Sequence, residues 1–215
     1  PYPWHLAYSG EIDATGRKRP AAFYRETLWK TGAPISAFVR QPAGTADLPN
    51  QNMYDPPAEI DWSLDDVHES WTWPGHVGKP LDVVVYSALP EVELRLNGKS
   101  LGRKPVGVAT EYKASFKVPY APGTLTAIGL RDGKPAAQWE LKTAGPAARV
   151  QVTLDRSRIG ANGKDLVYVT AQLVDASGVA IYAQSDDLDI RFEVEGAGRL
   201  AGAASGDPQR IASFQ

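Results

Sequence analysis

Cysteine is absent from the 215 residues, which excludes disulfides, thiolate metal sites and cysteine nucleophiles and leaves the redox compartment open. No apolar run approaches the ~20 residues that cross a bilayer as a helix. The opening Pro1-Tyr2-Pro3-Trp4 has neither the basic nor the hydrophobic region of a secretion signal. Charge of one sign is not in excess either: 23 Lys+Arg stand against 25 Asp+Glu, for a formal net charge of −2. There is therefore no bulk electrostatic case for nucleic acid or an anionic membrane as a partner. Methionine is reduced to Met53, and the first residue is Pro1, so the expectation is a piece of a longer polypeptide.

What is present is ordinary for a soluble globular protein, with 43% hydrophobic and 22% charged residues. The length accommodates one large domain or two small ones, each able to bury a core without a metal or crosslink. No cofactor is expected. Five of the six tryptophans (Trp4, Trp29, Trp62, Trp71 and Trp73) fall in the first 73 residues, and Trp139 is alone in the rest. Residues 1–62 are also punctuated by Pro34, Pro42, Pro49, Pro56 and Pro57, which argues against a continuous sheet there. One helix is predicted in that stretch, over residues 21–29, with Pro20 as its first residue and Thr31-Gly32 as its stop. Tyr24 and Leu28 share a face with Phe23 beside them, so this short amphipathic helix needs an external surface to cover it.

Beyond residue 80 the hydrophobic period becomes two. Residues 81–86 read as a strand, Val92, Leu94 and Leu96 alternate with charges before Asn97-Gly98, and Asn-Gly between such runs marks a type I′ hairpin. Tyr112, Ala114, Phe116 and Val118 alternate next, and residues 124–130 lead through Asp132-Gly133 into a return strand carrying Trp139 and Leu141. Gly145-Pro146 marks a boundary. A second β unit follows, with Val150, Val152 and Leu154 on one face, an apolar run over 165–174, a turn at Asp175-Ala176-Ser177-Gly178, and alternation over 188–194. The chain therefore reads as mainly β: two tandem immunoglobulin-like β-sandwiches, 63–145 and 146–215, preceded by a loop-rich segment, 1–62, with one short helix. The second falls short of the ~100 residues of a complete immunoglobulin-type unit and is expected to be truncated.

Three clusters could carry chemistry. Asp55, Glu59, Asp61, Asp65, Asp66 and Glu69 enclose His68, but they lack the spacing of a calcium loop or a zinc ligand set, and a solvated connector accounts for them. No metal is expected. The three histidines, His5, His68 and His76, have no assignable serine or acid partner. The basic run Arg17-Lys18-Arg19 is short and precedes the predicted helix, where it reads as a solvated connector. Trp71-Thr72-Trp73 is different. Indoles two apart in extended chain project from one face, and they can either stack on sugar rings or fill the interface between the first segment and the first sandwich.

Several stretches carry a resemblance. Ser9-Gly10-Glu11-Ile12-Asp13-Ala14-Thr15-Gly16-Arg17-Lys18-Arg19-Pro20, running on into Phe23-Tyr24-Arg25 and Leu28-Trp29, resembles family 2 glycoside hydrolases, the β-galactosidase group. There such a stretch leads from the last strand of the catalytic (β/α)8 barrel into its last helix. His68-Glu69-Ser70-Trp71-Thr72-Trp73-Pro74-Gly75, Val84-Val85-Tyr86-Ser87 and Glu91-Val92-Glu93-Leu94-Arg95-Leu96-Asn97-Gly98 resemble the sandwich that follows the barrel. Asp165-Leu166-Val167-Tyr168-Val169-Thr170 and Gly196-Ala197-Gly198-Arg199-Leu200 are similar to the next sandwich. The resemblance makes 1–62 the end of the barrel with a connector.

It also implies a parent that is a retaining β-glycosidase and favours a periplasmic or secreted location for it. The two glutamates such a mechanism needs would precede Pro1. Neither Glu11 nor Glu26 matches the family's catalytic motifs, so no catalytic residue is expected and this stretch is expected to be inactive alone. Trp4, just after the last barrel strand, is a candidate for the wall of the sugar site, with Trp71 and Trp73 as further substrate-binding candidates. The expected partner is the remainder of the glycosidase, with carbohydrate second. A carbohydrate-binding module and a cell-surface adhesion module are the alternatives, because the fold does not decide among them. Residues 1–62 are expected to dock on the first sandwich, with Trp71 and Trp73 as the contacts.

Overall fold

A computed structural model describes residues 11–12, 16–42, 67–181 and 190–203. The first element, α1 (Pro20–Trp29), begins with Pro20 in its first turn and ends at Lys30, which takes the left-handed conformation at φ 57°. The Lys30 and Thr31 amides close the last turn on Thr27 and Glu26 carbonyls. Ten residues are too few for a helix to persist in water without tertiary contacts. The helix is held by what it packs against.

That surface is a four-stranded antiparallel sheet in the order β2-β1-β3-β6, made of β1 (Ile35–Arg40), β2 (Val67–His68), β3 (Pro80–Ser87) and β6 (Lys113–Pro119). A second antiparallel sheet, β5-β4-β7-β8, is built from β4 (Glu91–Leu96), β5 (Lys99–Pro105), β7 (Thr124–Arg131) and β8 (Lys134–Lys142). Ile35, Ala37 and Val39 of β1, Leu81, Val83 and Val85 of β3, Val92 and Leu94 of β4, and Leu125 and Ala127 of β7 form the core between the sheets. The opposite side of β1 and β3 carries Phe38, Val84 and Tyr86, which form a separate buried cluster with Val67, and Phe23 and Tyr24 of α1 pack on it. Three layers result: helix, sheet, sheet.

The layering explains why sequence patterning did not reveal β1. β1 is buried on both faces, so Ile35-Ser36-Ala37-Phe38-Val39 is nearly continuous in burial rather than alternating, as strands covered on both sides are. Prolines at 34 and 42 confine it, but it lies inside the sheet, paired with β3 from Ile35↔Ser87 to Val39↔Val83. The sandwich thus draws on chain from both sides of residues 43–66. Where one face meets solvent, as in β6, alternation returns: Ala114, Phe116 and Val118 inward, Ser115 and Lys117 outward.

The predicted hairpins form. Asn97 and Gly98 have φ of 50° and 80°, and Asp132 and Gly133 have 52° and 73°, the positive pair that a type I′ turn requires. Asn97 also reaches across to the loop before β7, donating to the Pro122 carbonyl at 3.0 Å and accepting from the Thr124 amide at 2.8 Å. A Cβ at Gly123 would stand 1.9 Å from Asn97 Oδ1, so only glycine fits that approach. Tyr112, expected to open a strand, is instead left-handed at φ 59° after the 3-10 turn Val108–Thr110, and β6 starts one residue later.

In the second unit the described residues form a two-stranded antiparallel sheet of β9 (Ala147–Leu154) and β10 (Val169–Asp175). β10 begins four residues later than the apolar run predicted. Asn162 Oδ1 accepts the Lys164 and Asp165 amides, and Asp165 Oδ2 accepts the Gly160 amide. These side-chain turns compete successfully with a ladder. Residues 190–194, expected as a strand, have no ladder partner among the described residues, because alternation specifies a face and not a neighbour. Residues 188 and 189 lie outside the described residues.

Candidate functional site

The Trp71-Thr72-Trp73 segment runs extended between β2 and β3, and both indoles turn inward into the core between the sheets. Trp71 is 0% exposed and Trp73 4%. The Trp71 ring meets Tyr120 edge-on with centroids 5.1 Å apart, and its N–H donates to the Ala121 carbonyl at 3.0 Å. Trp73 donates its indole N–H to the Ser70 carbonyl at 3.2 Å and lies edge-on to His68 at 6.1 Å. Between them the Tyr120 hydroxyl accepts the Trp73 amide and donates to the Trp71 carbonyl. As sugar platforms, Trp71 and Trp73 have no face open to solvent. Their two-residue spacing does project both to one side, and that side is the core.

Nor do these tryptophans meet the helix. α1 docks through other aromatics: Phe23 packs at 5.5 Å from the Phe38 ring and 5.7 Å from Trp139, and Tyr24 at 5.1 Å from Tyr86. The Tyr24 hydroxyl donates to the Glu111 carbonyl at 3.0 Å, and Lys113 Nζ stands 4.6 Å above its ring. Within residues 1–62 it is β1, through Ile35, Ala37 and Val39, that shares the core with Trp71 and Trp73, whereas α1 docks on Phe38, Tyr86 and Trp139, on the opposite face of the first sheet and the edge of the second. The readable signal was the pair of apolar runs 35–39 and 83–86, each too rich in large side chains for a strand with a solvated face.

Trp4 lies outside the described residues, as do Trp62, Asp55, Glu59, Asp61, Asp65 and Asp66. Trp29 is 65% exposed on the outer side of α1, with the Arg25 guanidinium 5.6 Å from its ring centre. Among the described residues no group of three or more histidines and acids could hold a metal ion. No helix among them is long and apolar enough to cross a membrane.

Two clefts remain. The wider, about 420 Å³, lies where the two β units meet and is lined by Glu69, Ser70, residues 140–142 and residues 177–180. Burial pushes the Glu69 carboxyl above its ordinary range, against the pull of Arg17. Glu140 in the same cleft is ion-paired with Lys142 at 3.3 Å. The smaller, about 200 Å³, lies under the end of α1 and includes Glu26, Lys30, Leu89 and Arg131. Two other acids are nearly inaccessible. Glu93 accepts from Arg95 Nε at 2.8 Å and from Arg103 at 3.2 Å, and the Arg95 hydrogen bond above all holds its carboxyl below the usual range. Asp175 accepts the Gly145, Ser177 and Val179 amides and the Ser177 hydroxyl, which together hold it at about 2.

The described residues form a helix-capped antiparallel sandwich followed by a second β unit, with Trp71, Trp73, Phe23 and Tyr24 used for packing. Comparison gives the family. Residues 150–215 match the model of the glycoside hydrolase family 2 C-terminal domain 5, and residues 78–137 match a domain of unknown function, DUF4982. The chain is 36% identical to the β-galactosidase BoGH2A of Bacteroides ovatus, over 67% of this chain and 17% of that protein. It is 31% identical to a β-galactosidase of Thermoanaerobacter pseudethanolicus over 56% of this chain and 18% of the relative. A crystal structure of a glycosyl hydrolase family 2 member from Bacteroides cellulosilyticus superposes with a TM-score of 0.73 at 35% identity, covering 83% of this chain and 23% of that one. The chain belongs to glycoside hydrolase family 2, and it spans 17–18% of the length of the curated β-galactosidases it matches.

Proposed function

We propose that this is a non-catalytic C-terminal region of a β-galactosidase-like glycosidase, which supports the catalytic barrel and shapes the substrate cleft from outside. The observation that carries the reading is the grip of the first sheet on α1: Phe23 and Tyr24 fill the outer face of β1 and β3. A helix tied in this way to the sandwich transmits the sandwich's rigidity to whatever its other face covers. The parent is then a retaining enzyme whose two carboxyl groups, ~5–5.5 Å apart, lie in the barrel.

The environment of two buried acids supports inactivity of this region. Glu93 and Asp175 are fixed in the ionised state by their donors, so neither can deliver a proton near neutrality. The alternatives, a carbohydrate-binding or adhesion module, draw no support from Trp71 and Trp73, whose faces are covered. Incubation of the chain with a panel of chromogenic β-glycosides tests the proposal. No turnover is expected, and hydrolysis abolished by Glu69→Gln or Glu140→Gln would overturn it.

A further inference from the structure

The passage between the two β units is four residues long, Thr143-Ala144-Gly145-Pro146, and its composition reads as a flexible linker. Its hydrogen bonding says otherwise. Thr143 donates its amide to the Gly123 carbonyl at 2.9 Å, accepts the Gly123 amide on Oγ1 at 3.0 Å, and donates that hydroxyl to the Trp71 carbonyl at 2.7 Å. Ala144 donates its amide to Thr72 Oγ1 at 2.9 Å. Gly145, the next residue, donates its amide to Asp175 Oδ2 at 2.8 Å. Successive amides are therefore claimed by the first sandwich, the first sandwich again, and then the second unit.

Both receiving groups are themselves fixed. Thr72 sits between two buried indoles, and its own amide donates to Ser70 Oγ at 3.1 Å. Asp175, 5% exposed, uses its other oxygen, Oδ1, for the Ser177 amide, the Ser177 hydroxyl and the Val179 amide, at 2.8, 2.7 and 2.9 Å. That carboxylate organises the turn after β10 while binding the passage. Pro146 removes a further backbone freedom and restricts the residue before it. A second tie lies away from the passage, where Arg17, just before α1, donates to Gln172 Oε1 of β10 at 3.2 Å.

We infer that Thr72, Thr143 and Asp175 form a rigid joint that sets the orientation of the second β unit on the first, so that the two move as one body instead of two modules on a tether. The joint is a conformational device: ordinary polar groups convert a short passage into a corner, and the cleft beside it keeps its shape only while the corner holds. It also gives the Trp71-Thr72-Trp73 segment a reason for its middle residue. The indoles anchor the segment inside the first core, and the threonine between them presents the acceptor for Ala144.

Residual dipolar couplings on the whole 215-residue chain test this, with one alignment tensor fitted to residues 80–142 and another to 147–175. In the unsubstituted chain the two tensors should coincide, and the Ala144 and Gly145 amides should exchange slowly. Thr72→Val removes the Ala144 acceptor with little change of shape, and Asp175→Asn leaves one oxygen where two now accept. The double variant should lose the common tensor while both units keep their dispersed spectra. Divergent tensors in the unsubstituted chain would overturn the inference, and so would a common tensor in a folded double variant. Should Asp175→Asn disturb the second unit itself, Thr72→Val decides alone: faster exchange at Ala144 with a diverging tensor supports the joint, and no change in either refutes it.

Discussion

Replacing Phe23 by alanine separates two things that the sequence alone confounded, the stability of the first sandwich and the attachment of α1 to it. Phe23 is half-buried and belongs to the helix, yet its ring contacts lie on the sandwich, at Phe38 and Trp139. A fully buried Phe→Ala change costs ~3–5 kcal/mol, and about half of that is expected for a half-buried ring. The two ring pairings, each ~0.5–1.5 kcal/mol beyond area, overlap with it in part, so a total of about 2–3 kcal/mol is reasonable. Since each ~1.4 kcal/mol is tenfold, undocking of α1 should become roughly 30- to 150-fold more frequent. A ten-residue helix released from its surface unravels, so cleavage after Arg25 and Lys30 by trypsin reports the event. The expected result is rapid tryptic loss of the helix in Phe23→Ala, with the urea midpoint of the sandwich's tyrosine and tryptophan signals little changed. Equal protection of the helix in both proteins would refute the three-layer account, as would a collapse of the whole sandwich.

Other outcomes follow from the same geometry. Trp71→Ala should cost ~3–5 kcal/mol and leave the Ala121 carbonyl without its donor, lowering the urea midpoint of the first sandwich, whereas Trp71→Phe should recover most of the packing. Lys30→Gly should stabilise the attachment of α1 by about 0.5–1 kcal/mol, because a side chain in the left-handed region costs ~1–2 kcal/mol, which exceeds glycine's entropy loss. Reduced tryptic nicking at Arg25 is the readout, since the substitution itself removes the site at residue 30. Acidification should act through Glu93 and Asp175, both held below their ordinary range and Asp175 at about 2. Their stabilisation is complete above the unfolded value near pH ~4 and is lost as pH falls through the folded values. Thermal midpoints should therefore drop between about pH 4 and pH 2, and Asp175→Asn should flatten part of that drop.

The legible parts of this fold are those with a local signal, including β3, whose run of valines was readable although both its faces are covered. β4, β6 and the hairpin turns at Asn97-Gly98 and Asp132-Gly133 were readable because alternation and positive-φ chemistry are local properties. β1 was not, because a strand covered by a helix on one side and a sheet on the other loses its alternation, and its flanking prolines then look like evidence for a loop. The helix itself was readable to within a residue from Pro20 and the run after it, and so was its need for a covering surface. Which surface was not readable, since Phe38, Tyr86 and Trp139 come from three strands that only the sheet topology brings together.

The tryptophans show why composition left their use open. Five indoles within 73 residues suggest either a sugar platform or a packed interface, and nothing in their spacing separates the two. What separates them is the polar edge of the indole. A platform for sugar leaves the ring faces free, whereas Trp71 and Trp73 each give their N–H to a backbone carbonyl inside the fold, Ala121 and Ser70. Buried indoles need such acceptors, and here the acceptors lie on the loop following β6 and on the segment itself. That arrangement commits the loop before β3 to the core and leaves only Thr72 to face outward. The side chain without aromatic character is the one placed to hold the passage to the neighbouring unit, because its two flanking residues have already immobilised the backbone that presents it.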